Sequence, residues 1–464
     1  MLHRIVHIII LLGLISVVIA GCSPQTSTVT IPADTTEVFS RSGSQETPGR
    51  WWTAFGYPEL NTLVDSALRS NFNLMTAWQR LREAQAVADR ASSGLFPQLE
   101  ASLTGESNRL QTQFQESQIL RLGLSSQYEI DLWGRINSNI EAQRYRADAS
   151  LADYRTAALS LSAEVVRTWF SLMEAHGQLE LVNQQISTNE KVLKLLRARF
   201  GIGQIRSADI LRQRQLLEST REQKISVESR IRLLEHRLSV LLGRPPQKSM
   251  NYIQDSLPEL PPMPETGIPS ELVRRRPDIR SAYNLLQAAD REVAAAISNR
   301  FPRISLSASL STADLNGENL FEDWGRSLAG NMLAPLFYGG QLSAEVDRTQ
   351  AVKKQRLYQY AQSILTAFRE VEDALAQEKK QREKIQSIRN QLKIARQAYE
   401  QLRIEYFNGM GNYLDVLTAL DEEQQLRRNL LSAKMVLLEY RIALYRSLAG
   451  GFQTARENKE LNNE

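Results

Sequence analysis

No proline lies between Pro97 and Pro245, and none follows Pro335. Proline inside a helix removes a backbone hydrogen bond and clashes with the preceding turn, so two proline-free stretches this long leave room for very long helices. From Arg135 to Phe200 glycine is scarce as well. One continuous helix of about 65 residues, rising roughly 1.5 Å per residue, would reach nearly 100 Å. Within it Leu179, Val182, Ile186, Leu193, Leu196 and Phe200 fall at heptad spacing, with polar Asn189 in the skipped position. The returning segment offers Ile231, Leu234, Leu238 and Leu241, and a later stretch keeps the same spacing through Ile385, Ile388, Leu392, Ala395, Tyr399, Leu402 and Tyr406. Narrow apolar seams of this kind signify helix-on-helix packing, with charged flanks such as Lys379 to Lys384 facing water.

The chain repeats itself. Phe96-Pro97-Gln98-Leu99 is matched by Phe301-Pro302-Arg303-Ile304, 205 residues later. Gly134 pairs with Gly340, and Phe200, Gly203, Asp209, Leu211 and Leu242 pair with Tyr406, Gly409, Asp415, Leu417 and Leu448, all at 206. A constant offset over so long a stretch implies an internal duplication. Each copy is expected to hold a helix, two strands, a long helix, a glycine turn and a returning helix. The boundaries expected are 58–243 and 271–450, joined by a proline-rich equatorial linker at 244–270 and followed by a tail at 451–464.

The residues after each Phe-Pro alternate with period two. Ile304, Leu306, Ala308 and Leu310 interleave with Ser305, Ser307, Ser309 and Ser311. Leu99, Ala101 and Leu103 interleave with Glu100, Ser102 and Thr104, and Leu122, Leu124, Ser126, Tyr128 and Ile130 with polar neighbours. Strands of about 10 residues, apolar on one face and polar on the other, suit a transmembrane β-barrel, where closure satisfies every backbone group in lipid. A half-buried soluble hairpin would share that periodicity. Polar loops are expected over 108–118 and 314–323, and Trp133, Phe301, Trp324, Phe337 and Tyr338 lie where an interfacial aromatic girdle would sit. Four strands cannot close a barrel, because the smallest have about eight, so the barrel reading requires several chains, and three would supply twelve.

Residues 1–21 read as a lipoprotein signal peptide: basic Arg4, an apolar run to Val18, and Ile19-Ala20-Gly21 directly before Cys22. Cys22, the only cysteine, is expected to be lipidated. Several acyl chains, each buried CH₂ contributing roughly 0.8 kcal/mol, hold a protein to a membrane. Ser23 stands where an inner-membrane retention signal would place Asp, which favours the outer membrane. Residues 22–57, rich in Ser, Thr and Pro at their start, are expected to form a lipidated tether.

The order of lipobox, Trp51-Trp52, Phe-Pro strand pair, Asp131-Leu132-Trp133-Gly134-Arg135, long helix, Arg274-Arg275-Arg276-Pro277-Asp278-Ile279-Arg280 and a second copy resembles the outer membrane factor family. Members are TolC-like and OprM-like exit ducts of tripartite efflux pumps, and the lipoprotein branch is the most similar. The resemblance spans essentially all of the mature chain. It implies a mainly α fold with a small membrane β-barrel: a trimer in which four strands per chain complete a twelve-stranded barrel above a long antiparallel α-helical barrel. It also implies a periplasmic adaptor protein and an inner-membrane RND-type transporter as partners. Drugs or other small molecules would pass from the pump to the outside through an outer-membrane, lipid-anchored duct extending into the periplasm of a Gram-negative bacterium. A duct for type I protein secretion shares that fold, and a lipid-anchored coiled-coil scaffold is the rival outside the channel class.

The resemblance places a periplasmic gate just after the second glycine turn. Asp415 matches a gate aspartate and Asp209 is its first-copy counterpart, with Tyr406, Asn412 and Tyr413 as secondary candidates. Three Asp415 carboxylates facing one another would form a ring of like charge that binds cations and responds to pH. Thr418 and Gly411 depart from relatives that carry Asp and Arg there, so fewer polar contacts would hold the gate. The turns at Gly201, Gly203, Gly409 and Gly411 are the expected adaptor-facing tips. Four His, one Cys and a formal charge of +4 leave nothing for metal clusters, thiol chemistry or nucleic-acid binding. No catalytic constellation or cofactor motif is present either. No enzyme activity, metal or cofactor is expected beyond the lipid on Cys22.

Overall fold

The computed structural model describes residues 38–44, 49–109, 116–246, 257–315 and 318–461. The signal segment, Cys22 and most of the expected tether lie outside the described residues. The first copy runs α1 (Pro58–Ser70), α2 (Phe72–Ser92), β1 (Gln98–Arg109), β2 (Glu116–Ile130), α3 (Arg135–Gly201) and α4 (Ser207–Leu241). The second runs α5 (Pro269–Arg275), α6 (Pro277–Ser298), β3 (Arg303–Asp314), β4 (Gly325–Leu333), α7 (Gln341–Phe407) and α8 (Tyr413–Leu448), and α9 (Ala455–Leu461) follows. Both long helices have 67 residues, one more copy of the 206-residue offset.

The chain divides into two compact units, each drawing on both copies. The first comprises 79–151 and 281–362 and holds the sheet. Its strands are antiparallel in the order β1-β2-β3-β4, so β1 and β4 are free edges of this chain. Register keeps the two faces separate across all four strands. Leu99, Leu124, Leu306, Leu310, Leu328 and Met332 share one face, and Glu100, Ser125, Ser309 and Ser327 form a row on the other. The apolar face has no cover within the chain: Leu99 is 67% exposed and Leu328 82%. Apolar side chains this exposed on a regular sheet suit lipid rather than water. The strands are longer than their periodicity suggested, β1 and β2 having 12 and 15 residues, so the first expected loop is shorter than 108–118. Trp133 stacks on Phe301 at 5.0 Å and its indole N–H donates to the Pro302 carbonyl at 2.7 Å, which ties the foot of β2 to that of β3. Phe337 and Trp324 are exposed at opposite ends of β4.

The second unit comprises 34–78, 152–280 and 363–464. Its core gathers Trp51, Trp52, Phe55, Tyr154, Phe170 and Tyr445, with the Trp51 and Tyr445 rings stacked 5.9 Å apart. Two expectations change here. The tether does not extend to residue 57, because Trp51–Phe55 forms a 3₁₀ turn whose two tryptophans are fully buried. The expected tail is also tied down over its described part, 451–461: Phe452 packs edge-on against Trp52 at 4.8 Å and Arg155 pairs with Glu457 in α9 at 2.8 Å. In both cases large aromatic area leaves water, which outweighs the polar composition around it.

The helix seams are more polar than their spacing suggested. Phe200, expected inside, is exposed, while Gln185 and Asn189 of α3 are buried. Asn189 donates to the Thr220 hydroxyl at 3.0 Å, and Gln213 donates to the Asn189 carbonyl at 3.1 Å. Gln424 reaches Asn189 Oδ1 at 3.3 Å. Buried amides bonded across three helices fix one register between α3, α4 and α8, since any slide would leave them unpaired.

Candidate functional site at the two helical turns

Each long helix ends in the same motif. The Gly203 amide bonds the Phe200 carbonyl at 2.9 Å and Gln204 that of Arg199 at 3.0 Å; in the second copy Gly409 bonds Tyr406 at 3.1 Å and Met410 bonds Glu405 at 2.9 Å. This is the Schellman pattern, which needs a left-handed residue, and Gly203 and Gly409 supply it at φ +75° and +78°. Gly201 and Gly411 do not have positive φ. Gly201 closes α3 with open space around it, and a Cβ on Gly411 would meet the Tyr406 amide at 3.3 Å. Of the four expected tip glycines, two are therefore required by backbone geometry. The turns also expose Ile202 and Met410.

Asp209 and Asp415 occupy the same position in the first turns of α4 and α8, where a carboxylate favours the positive end of the helix. Their surroundings differ. Asp415 is exposed; its amide donates to the Asn412 carbonyl at 3.2 Å, and its carboxylate has no hydrogen-bond partner among the described residues. Asp209 is buried; its Oδ2 accepts from the Arg206 amide at 3.4 Å, and its Oδ1 has no hydrogen-bond partner among the described residues. Asn412 caps α8, its side chain accepting from the Leu414 amide at 3.0 Å.

Tyr406 and Tyr413 come together with their rings 5.4 Å apart. The Tyr413 hydroxyl donates to Gln213 Oε1 at 2.5 Å, which joins α8 to α4. Burial pushes both phenols above their ordinary range, and the nearby Asp209 charge adds to this. Neither therefore ionises at physiological pH. The Arg199 guanidinium lies 5.3 Å over the Tyr406 ring and 5.1 Å over Phe407, bridging the two turns. Arg199 and Gln213 escaped the sequence reading; Gln213 follows Asp209 by four residues, on the same helix face, and that spacing was the available signal. Among the described residues no His, Cys, Asp and Glu cluster suits a metal. No helix among them is long and apolar enough to cross a membrane, which says nothing about strands.

A sheet with one face suited to lipid and one hydroxylated, combined with two long helical hairpins ending in polar turns, defines the subunit of an outer-membrane channel. The chain belongs to the outer membrane efflux protein family, which matches residues 63–244 and 268–450. It is 30% identical over 421 residues to the pyoverdine export outer membrane protein OpmQ of Pseudomonas aeruginosa, covering 88% of each chain. To the cation efflux system protein CusC of Escherichia coli it is 27% identical, covering 87% of this chain and 88% of that one. Its fold matches the outer-membrane channel OprN with a TM-score of 0.85 at 27% identity, over 92% of this chain and 99% of that one. The open state of the Neisseria gonorrhoeae MtrE channel matches at 0.82 and 25% identity, over 93% and 98%.

Proposed function

We propose that three copies of this chain form the passive exit duct of a tripartite efflux system, receiving drugs or other small molecules from an inner-membrane RND-type pump and a periplasmic adaptor. The observation that carries this reading is the two-faced sheet with both edges open. Each chain offers four strands whose apolar face has no cover of its own, and pairing β4 of one copy with β1 of the next would close twelve strands and bury every free edge. The hydroxylated face then lines the lumen. A lumen of serine hydroxyls has little affinity for any one solute, so cargo choice falls to the pump.

Asp415 is the side chain that closes the periplasmic end. It is exposed and, among the described residues, has no side-chain partner at the start of α8, so three copies can approach one another, and the buried Asp209 serves instead to hold the turns. Replacing Asp415 by Ala in a host cell should let vancomycin, too large for ordinary porins, reach its target, lowering the inhibitory concentration severalfold. Unchanged vancomycin resistance at equal protein levels would remove Asp415 from the gate. Cys22 carries the lipid that holds the chain in the outer membrane; labelled palmitate should enter the wild type and not Cys22→Ser.

A further inference from the structure

The arginine-rich segment around Arg276 takes no part in the turns, yet it builds a joint at the far end of α8. Arg276 sits between α5 and α6 and is buried. Its Nη1 donates to the Ser447 carbonyl at 3.2 Å, one of the last carbonyls of α8, which have no partner within the helix. Its Nη2 donates to Asp278 at 2.6 Å and to Glu370 of α7 at 2.7 Å, and its Nε to Asp278 at 3.0 Å. One guanidinium thus ties the end of α8, the middle of α7 and the start of α6 together.

The first copy has the same joint made from different residues. Asn71 lies between α1 and α2, 205 residues before Arg276, and donates to the Leu241 carbonyl at 3.0 Å. Leu241 precedes Ser447 by 206, so the two contacts are equivalent under the duplication. Ser70 adds a bond to the Leu242 carbonyl at 2.8 Å. Both joints close so tightly that a glycine follows each returning helix. A Cβ on Gly243 would stand 2.2 Å from the Ser70 carbonyl oxygen, and one on Gly450 would stand 3.0 Å from the Arg275 Cβ. The joints differ in charge and in reach: among the described residues the bonds of Ser70 and Asn71 are neutral and go to no residue of α3, whereas Arg276 is ionic and grips α7 as well.

We infer that Arg276 is the positioning residue of the α7–α8 hairpin, fixing the far end of α8 and through it the reach of Asp415. The inference rests on the gate reading above. The lever is long: α8 has 36 residues, so at roughly 1.5 Å each a tilt of about three degrees at the joint moves the Asp415 end by roughly 3 Å, the length of a hydrogen bond. Slack too small to unfold the joint would still be large at the turn.

The test is single-channel recording of the purified trimer in planar bilayers, with trimer melting in detergent measured alongside. Arg276→Gln should raise the open fraction at least threefold while the trimer remains intact. Arg276→Lys, which keeps a charge for Glu370 but loses the fork that also reaches Ser447, should recover part of the closed behaviour. Asn71→Ala, which frees the end of α4 and the first turn of α2 but touches neither α7 nor α8, should leave the open fraction near wild type. If Arg276→Gln cannot assemble, Glu370→Gln weakens the hold of α7 on Arg276 and on Arg446 of α8 while leaving the Arg276 bond to Ser447, and should show a smaller increase. An intact Arg276→Gln or Glu370→Gln trimer that gates like the wild type overturns the positioning role, as does an Asn71→Ala channel that opens as much as Arg276→Gln. Silence from every variant, Asp415→Ala included, would instead count against the duct itself.

Discussion

Gly409 shows what a single residue contributes here. At φ +78° an L side chain costs about 1–2 kcal/mol, so Gly409→Ala and Gly203→Ala should each lower unfolding free energy by that amount in denaturant titrations. Gly201→Ala should cost nothing, because Gly201 is helical with open space around it. Equal losses at all three positions would contradict the turn geometry. A second residue-scale case is Arg441, fully buried and bonded to Glu378 through Nε at 2.8 Å and Nη2 at 2.7 Å. Arg441 Nη1 also donates to the Pro262 carbonyl at 2.9 Å, pinning the linker. Burial alone would push the Glu378 carboxyl up, but Arg441 and Arg382 together hold it below the usual range. Its stabilising contribution is therefore present above the ordinary carboxylate pKa and is lost only as pH falls through the depressed folded value. Arg441→Met leaves a buried carboxylate with Arg382 as its remaining cation among the described residues and should cost about 3–5 kcal/mol at neutral pH. In the variant the stability lost on acidification should be smaller than in the wild type, because the Arg441 pair with Glu378 is no longer there to lose. Calorimetry from pH 7 to 4 reads both effects.

At the scale of elements, the first long helix was legible almost to the residue, because proline is absent and glycine scarce, and the second was legible from its periodic seam and the lack of proline after Pro335. The strands were legible from alternation, although their outer ends were not, since Asp314 and Glu116 carry no period-two signal. The polar stripe inside the seams was visible only as the single misfit Asn189. Which face of α3 turns inward is decided by α4 and α8 together, and neither spacing nor composition encodes that. Replacing Asn189 by Leu leaves the Gln424 amide and the Thr220 hydroxyl short of a partner, while the Gln213 bond to the main-chain carbonyl of residue 189 persists, and should cost about 1–3 kcal/mol. A stabilised Asn189→Leu protein would mean that ordinary apolar packing sets the register. The candidate site was half legible. Asp209 and Asp415 hold equivalent positions, each in the first turn after a Schellman glycine, yet one is buried near the Tyr406–Tyr413 pair that Gln213 joins, and the other is open. Those contacts come from different helices, so no local pattern announces them.

At the scale of the whole molecule, duplication explains why one chain presents two hairpins, two turns and two joints of the same plan. It also explains why divergence between the copies is informative. Where the copies differ, as at Asp209 against Asp415 or Asn71 against Arg276, the second copy carries the exposed carboxylate and the ionic anchor on which the proposed gate rests. The open edges of β1 and β4 make the isolated chain an incomplete object, and assembly completes it. The most direct measurement is the conductance of the purified mature protein in planar bilayers, wild type against Asp415→Ala. A gated duct predicts discrete steps that grow larger or last longer in the variant. No conductance from either protein, with both folded and trimeric in detergent, would contradict it.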